Sequence, residues 1–326
     1  MKHLKIGTAV LALCLLVLAA AARADTAERP AARYTAIAVK KFDLRPAPKS
    51  GVKVGSVPFD RTVEVLEYGD DWCHVRYRGK VGYAKTTWLW GFVSLDPLHY
   101  PSPQFTPCRG YVTLAEETLI AGGKFNGVTA AAGTVLAVYD ADLSLPVWRA
   151  AASLPASAGA YTAFADWETA KPGDPIAGFT TYYNDKTGAP LAKGRQHNIA
   201  LGCERIDGQV VLPGETFSFN ALCAPYSTKN GYEMAKNISN SGKGAGGGVC
   251  QVSTTLYNAL LSLPVHITAW AAHRPAGVYY IPVSFDAAVG SRTDLCFSND
   301  LPYPVRIVAK PQGGVLTVLI HCSQEQ

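Results

Sequence analysis

The chain has 326 residues, with 30 Lys and Arg against 25 Asp and Glu for a net charge of +5, and 48% of its residues are hydrophobic. The cations are scattered and form no clustered basic stripe of the kind phosphate binding requires, so nucleic acid is not an expected partner. The length exceeds one ordinary core and points to two or three domains, and 30 Gly, 21 Pro and short β-branched apolar segments favour a multi-domain, β-rich chain.

Residues 1–24 read as a secretory signal: Lys2 and Lys5, an apolar run from Ile6 to Ala22, and Ala22-Arg23-Ala24 as a small-x-small cleavage site before Asp25. No later segment is long and apolar enough to span a bilayer. The expectation is an exported chain, facing the periplasm or cell wall, with no stable membrane insertion after signal cleavage; an uncleaved membrane anchor is the lesser alternative, because the apolar run is at the short end for spanning a bilayer. Loss of Lys2, Lys5 and Arg23 lowers the charge from +5 to +2. Of eight cysteines, Cys14 leaves with the signal. The odd remainder suggests that Cys250 stays free while Cys203 with Cys223, Cys296 with Cys322, and Cys73 with Cys108 form bridges, a connectivity that sequence alone does not fix.

From Tyr34 to Phe92 the pattern predicts five short strands: Ala36–Val39, Val52–Val57, Thr62–Tyr68, Trp72–Tyr77 and Val81–Ala84, with Gly69-Asp70-Asp71 and Arg78-Gly79-Lys80 as turns. Five such strands suggest a small barrel. Asp43-Leu44-Arg45-Pro46-Ala47-Pro48, Val63-Glu64-Val65-Leu66, Trp72-Cys73-His74-Val75 and Lys80-Val81-Gly82-Tyr83-Ala84 resemble a bacterial SH3 (SH3b) domain over residues 25–93. That resemblance implies docking to cell-wall peptide, with Trp72, Tyr77, Tyr83, Trp88 and Trp90 as docking aromatics or, equally, as core. Pro97, Pro101, Pro103 and Pro107 mark residues 94–107 as a linker. Residues 108–175 read as a β-rich middle region, with a second small SH3-like barrel as one option, in which Gly133–Asp140 and Ala160–Phe164 look like strands and no motif carries chemistry.

The last module, residues 176–326, contains strand-like Phe179–Tyr183, a short helix at His197–Gly202, two strands around Pro213-Gly214, and the stretch on which the functional reading turns. In Gly244-Ala245-Gly246-Gly247-Gly248-Val249-Cys250-Gln251-Val252-Ser253-Thr254-Thr255-Leu256, a glycine run leads into apolar residues at helical spacing: Val249, Val252, Leu256, Leu260 and Leu263. Pro264 stops the helix. Cys250 falls in the first turn, where the helix dipole and unpaired N–H groups favour a thiolate and an oxyanion hole. Read from these residues alone, the same stretch also fits a flexible loop and half of a disulfide.

Thiol chemistry needs a base, and the chain beyond the signal offers His74, His99, His197, His266, His273 and His321. Strand alternation from Val265 onward would put His273 on the apolar face with Val265 and Ile267, and His266 on the other; His197 is the reserve. Asp286 or Asp294 could orient the base, or cap a turn. Gly248 and Gln251 are placed at the oxyanion site, Gln251 alternatively as a helix cap. Arg274 and Lys243 are the contacts offered for a substrate carboxylate. No spacing suits a metal site and no phosphate loop is present, so neither metal nor cofactor is expected.

Leu212-Pro213-Gly214-Glu215-Thr216-Phe217-Ser218-Phe219-Asn220, Gly246-Gly247-Gly248-Val249-Cys250-Gln251-Val252-Ser253-Thr254-Thr255-Leu256-Tyr257-Asn258-Ala259, His273 and Tyr280-Ile281-Pro282 are similar to the VanW domain family. The resemblance implies an α+β fold with the cysteine at a helix N-terminus, Cys250 as nucleophile, His273 as its base and Asp286 behind it. It also implies exported members acting on peptidoglycan stem peptides, some of them L,D-transpeptidase-like. Cys223-Ala224-Pro225 and Ser284 depart from the family pattern, which usually has Gly-Pro and Gly there. The readings carried forward are a cysteine L,D-transpeptidase, a cysteine peptidase of the same stems, and a non-catalytic wall-binding scaffold.

Overall fold

Alternation of buried and exposed residues builds the first sheet. The computed structural model describes residues 31–95, 105–120, 127–147, 152–183, 190–237, 242–273, 278–281 and 285–324, so the signal segment and most of the linker lie outside the described residues. The chain divides into the units Met1–Ala32 and Arg33–Gln326, and the second is described here. It opens with β1 (Tyr34–Ala38), β2 (Phe42–Leu44), β3 (Gly55–Val57), β4 (Thr62–Glu67), β5 (Trp72–Tyr77), β6 (Lys80–Lys85) and β7 (Leu89–Ser94). These make an antiparallel sheet in the order β6-β5-β4-β1-β7, with the β2-β3 pair attached to β6 through an Arg45–Tyr83 bridge. Val63, Val65, Cys73, Val75 and Ala84 point into one core with Leu44, Val57 and Phe92. The sheet does not close on itself, which corrects the expected barrel. β2 pairs with β3 and reaches β6 only through the Arg45–Tyr83 bridge, so it does not join β6 to β7.

The middle region contributes β8 (Gly110–Leu114), β9 (Thr118–Ile120), β10 (Val128–Ala130), β11 (Val135–Val138) and β12 (Gly159–Ala163). A three-stranded sheet runs β11-β8-β12, with β9 and β10 as a separate hairpin. After it come β13 (Pro175–Tyr182), α1 (Pro190–Ile206), β14 (Val210–Val211), β15 (Thr216–Ser218), α2 (Phe219–Cys223), β16 (Met234–Lys236), β17 (Lys243–Ala245), α3 (Val249–Leu260), β18 (Val265–Ala269), β19 (Cys296–Asn299), β20 (Val305–Gln312) and β21 (Val315–Cys322). They form sheets β13-β21-β20-β14 and β15-β19-β18, plus the hairpin β16-β17.

Strand β13 is buried almost throughout because both of its faces are covered. Thr180 faces the middle sheet, where its Oγ1 accepts from Ala137 N at 2.8 Å, whereas Thr181 faces α3 and meets Thr255 Oγ1 at 2.8 Å. Successive side chains on a strand point to opposite faces, so Phe179-Thr180-Thr181-Tyr182 serves two layers at once. Helix α1 is 17 residues long, much longer than the short helix expected at His197–Gly202. Gly194 and Gly202 hide it in sequence because glycine disfavours helix interiors, yet both mark close approach: a Cβ on Gly202 would lie 3.2 Å from Val252 Cγ2 of α3.

The three expected disulfides are absent, and all seven described cysteines are free thiols. They sit in different surroundings. Cys73 lies in the N-terminal core, Cys108 in the C-terminal one, and Cys296 contacts Asp294 Oδ2 at 3.2 Å. Burial pushes the Cys223 thiol up to about 12 and raises Cys108 and Cys203 further. None of the α-helices among the described residues is long and apolar enough to cross a membrane.

Candidate active site

Helix α3 carries no charged residue, and eleven of its residues are buried; Cys250, its second residue, is the half-buried one. The helix is capped by Gly248 at φ 112°, a left-handed conformation that side chains rarely adopt. A Cβ at Gly248 would also come within 3.0 Å of Arg195 Cγ and Arg195 O. The glycine therefore serves the turn and the close passage of α1 together. Asn198 of α1 holds the loop, its Nδ2 donating to Gly247 O at 3.1 Å and Glu233 O at 2.9 Å.

The polar side of α3 faces inward. Ser253 Oγ donates to Ala287 O at 2.7 Å, Ala287 N donates to Thr254 Oγ1 at 2.9 Å, and Asn258 Nδ2 donates to Phe285 O at 2.7 Å. These bonds fasten segment 285–289 along the helix, and that segment bears Asp286. Sequence reasoning missed this seam. Its signal was a helix whose polar residues are all uncharged and small, which leaves no side suited to water.

Asp286 is fully buried, and its Oδ2 accepts from both the backbone N and Nδ1 of His273 at 2.6 Å. With Nδ1 engaged by Asp286, Nε2 is the ring nitrogen left to serve Cys250, which lines the same cleft. Cys250 Sγ also contacts Val289 O at 3.4 Å. Burial pulls the imidazole down, but the hydrogen bonds to Asp286 and Cys250 and the negative charges of both outweigh it and raise His273 from its ordinary value to about 10. His273 does not reach this place by strand parity. β18 ends at Ala269 after a register shift, and the two bonds to Asp286 fix the histidine beyond it.

The remaining expectations sort by geometry. Gln251 is buried. Its Nε2 donates to Thr181 Oγ1 at 3.0 Å and Tyr182 O at 3.1 Å, and its Oε1 accepts from Arg195 Nη2 at 2.6 Å. Its amide is thus spent on joining α3 to β13 and α1, which corrects its placement as an oxyanion donor. Asp294 is the capping aspartate, accepting from Asn220 N and Leu295 N. His197 is exposed with Nε2 at 2.8 Å from Gly231 O, His266 is exposed, and His74 stacks on Tyr83. Lys243 is exposed on β17, whereas Arg274 and Ser284 lie outside the described residues.

Cys250 and His273 line a cleft of about 950 Å³ together with Arg195, Tyr226, Lys236 and Tyr280. A thiol sharing a cleft with an imidazole that a buried carboxylate holds is the arrangement nucleophilic thiol chemistry requires. No cluster of His, Cys, Asp and Glu among the described residues could hold a metal ion.

The C-terminal module is therefore an α+β unit with a Cys–His–Asp constellation at a helix start. Residues 194–321 match the family described as VanW like protein, and the chain carries a VanW-like domain. “Uncharacterized protein YoaR” of Bacillus subtilis is 36% identical over 148 residues, covering 44% of this chain and 47% of that protein. “Vancomycin B-type resistance protein VanW” of Enterococcus faecalis is 31% identical over 96 residues, covering 28% of this chain and 34% of that protein. The chain spans less than half the length of these relatives, and no solved structure matches it.

Proposed function

We propose that the chain is a cell-wall-facing cysteine acyltransferase of peptidoglycan stem peptides, an L,D-transpeptidase. The observation that carries the reading is the Cys250–His273–Asp286 relay on a cleft, with Asp286 holding His273 by both its backbone N and its Nδ1. Similarity to a vancomycin-resistance protein supports the choice of the wall as substrate, and the resemblance of residues 25–93 to SH3b domains gives the N-terminal sheet the role of docking it there. In that sheet Trp72 and Trp88 pack edge to face at 5.9 Å, with Arg45 and Lys85 beside Trp72.

Cys250 Sγ bonds to the carbonyl carbon of the amide before the terminal D-residue, and its proton resides on His273. The backbone N–H of Cys250 steadies the oxyanion; the neighbouring N–H groups of Val249 and Gln251 already donate to Gly246 O and Gly248 O. As the C–N bond breaks, His273 returns the proton to the leaving amine, and a thioester remains. The amine of a second stem then attacks the thioester, gives its proton to His273, and the thiol is regenerated.

Incubation of purified protein with muropeptides, wild type beside Cys250→Ala, tests this. New cross-linked dimers that disappear in the variant support transfer, whereas shortened monomers alone make water the acceptor and the protein a peptidase. Products unaffected by the substitution, or none from the wild type, defeat the acyl-transfer reading.

A further inference from the structure

The lining of the cleft contains no Asp or Glu among the described residues, whereas Arg195, Lys236 and His273 all contribute to it. Walls of one charge concentrate ligands of the other. Of these cations Arg195 is the one built into place. Its stem runs against Gly248, where any side chain would collide with Arg195 Cγ. Its Nη2 donates to Gln251 Oε1 at 2.6 Å, and the guanidinium carbon lies 5.7 Å from the centre of the Tyr279 ring.

What the guanidinium lacks is an acid. Among the described residues it makes no ion pair. Arginine presents five donors in a planar fork that matches a carboxylate. A cation held beside the residue that follows the nucleophile, with a neutral amide as its acceptor, is poised for an anion brought by a ligand.

We infer that Arg195 anchors the terminal α-carboxylate of the peptide whose amide Cys250 attacks, so that the cleft selects peptides with a free C-terminus. The inference rests on the acyl-transfer reading for its substrate, but it concerns binding and is tested as binding.

The test uses the full chain carrying Cys250→Ala, which cannot turn over, titrated with a synthetic stem tetrapeptide ending in D-alanine and with the same peptide as its C-terminal amide. The acid should bind roughly 10- to 100-fold more tightly, the range of a charge-assisted hydrogen bond, and adding Arg195→Met should reduce that preference to about none. Equal binding of acid and amide, or a preference that survives Arg195→Met, overturns the inference. Should the Met variant lose its cooperative melt, Arg195→Lys takes its place. It keeps the charge without the fork, so a several-fold smaller preference is expected, and an unchanged preference counts against the anchor. Arg195-dependent preference in a protein whose wild type yields no muropeptide products would leave the anchor standing and remove only the chemistry.

Discussion

Whether a thiol at this position can react depends on where one proton sits, and His273 sets that. The imidazole is only 14% exposed, a setting that alone would strip its proton, yet Asp286 on one side and Cys250 on the other raise it to about 10. A group whose folded value lies above its unfolded one stabilises the fold fully below the unfolded value, near 6.5, and loses that contribution as pH rises through the folded value. Thermal midpoints of wild type and His273→Gln should therefore differ most at pH 6.5 and converge by about pH 10. A gap that stays constant across that window would mean the imidazolium contributes nothing. Cys250 and His273 were legible in the sequence from the glycine-to-helix transition and from the family resemblance. Arg195 was not, because a lone arginine between Gly194 and a histidine-bearing turn looks like any solvated cation until the fold brings Gly248 against its stem.

At the scale of the element, α3 behaves less as an amphipathic surface helix than as a buried spine. Its apolar stripe of Val249, Val252 and Leu256 was legible from spacing, and it joins the main C-terminal core. The opposite side is easily misread: Ser253, Thr254 and Asn258 pass for solvent-facing residues unless the helix's lack of any charge is noticed, and here they replace water with the backbone of segment 285–289. Irregular backbone buried against a helix must find partners, and short polar side chains supply them. Asn258→Ala removes the donor to both Thr254 O and Phe285 O. Leaving Phe285 O buried and unpaired should cost about 1–3 kcal/mol, read as a lowered urea midpoint. A cost within about 0.5 kcal/mol, the usual range of an indifferent surface change, would show that the seam does not hold the segment carrying Asp286. The same difference between pattern and partner explains the strand region. Alternation located β4, β5 and β6 to within a residue or two, but which edges pair is decided by where turns send the chain, and the sheet stays open.

For the molecule as a whole, the boundary between the middle region and the C-terminal module is a line in sequence across which packing continues. Cys108 and Ala137 sit in the same core as α3 and β21, while Tyr182 and Val315 complete the core of the middle sheet. Hydrogen bonds cross as well, from Ala137 N to Thr180 Oγ1 at 2.8 Å and from Thr317 Oγ1 to Val135 O at 2.7 Å. Phe105, before the middle sheet begins, stacks on Phe285 next to Asp286, with ring centres 6.0 Å apart. A chain starting at Ile176 would bare one whole face of β13 and cost Thr180 its bond to Ala137 N and Thr317 its bond to Val135 O, leaving the two threonines only each other. Exposed apolar sheet faces of that kind promote association. A fragment of residues 176–326 is expected to lack a cooperative thermal transition and to bind an apolar dye, whereas residues 105–326 should melt cooperatively. The N-terminal sheet, whose core draws only on residues Tyr34 to Phe92, should be dispensable for that transition. If the shorter fragment melts as sharply and at the same temperature as the longer one, the middle sheet is an appendage and the Cys250–His273–Asp286 constellation needs no support from it.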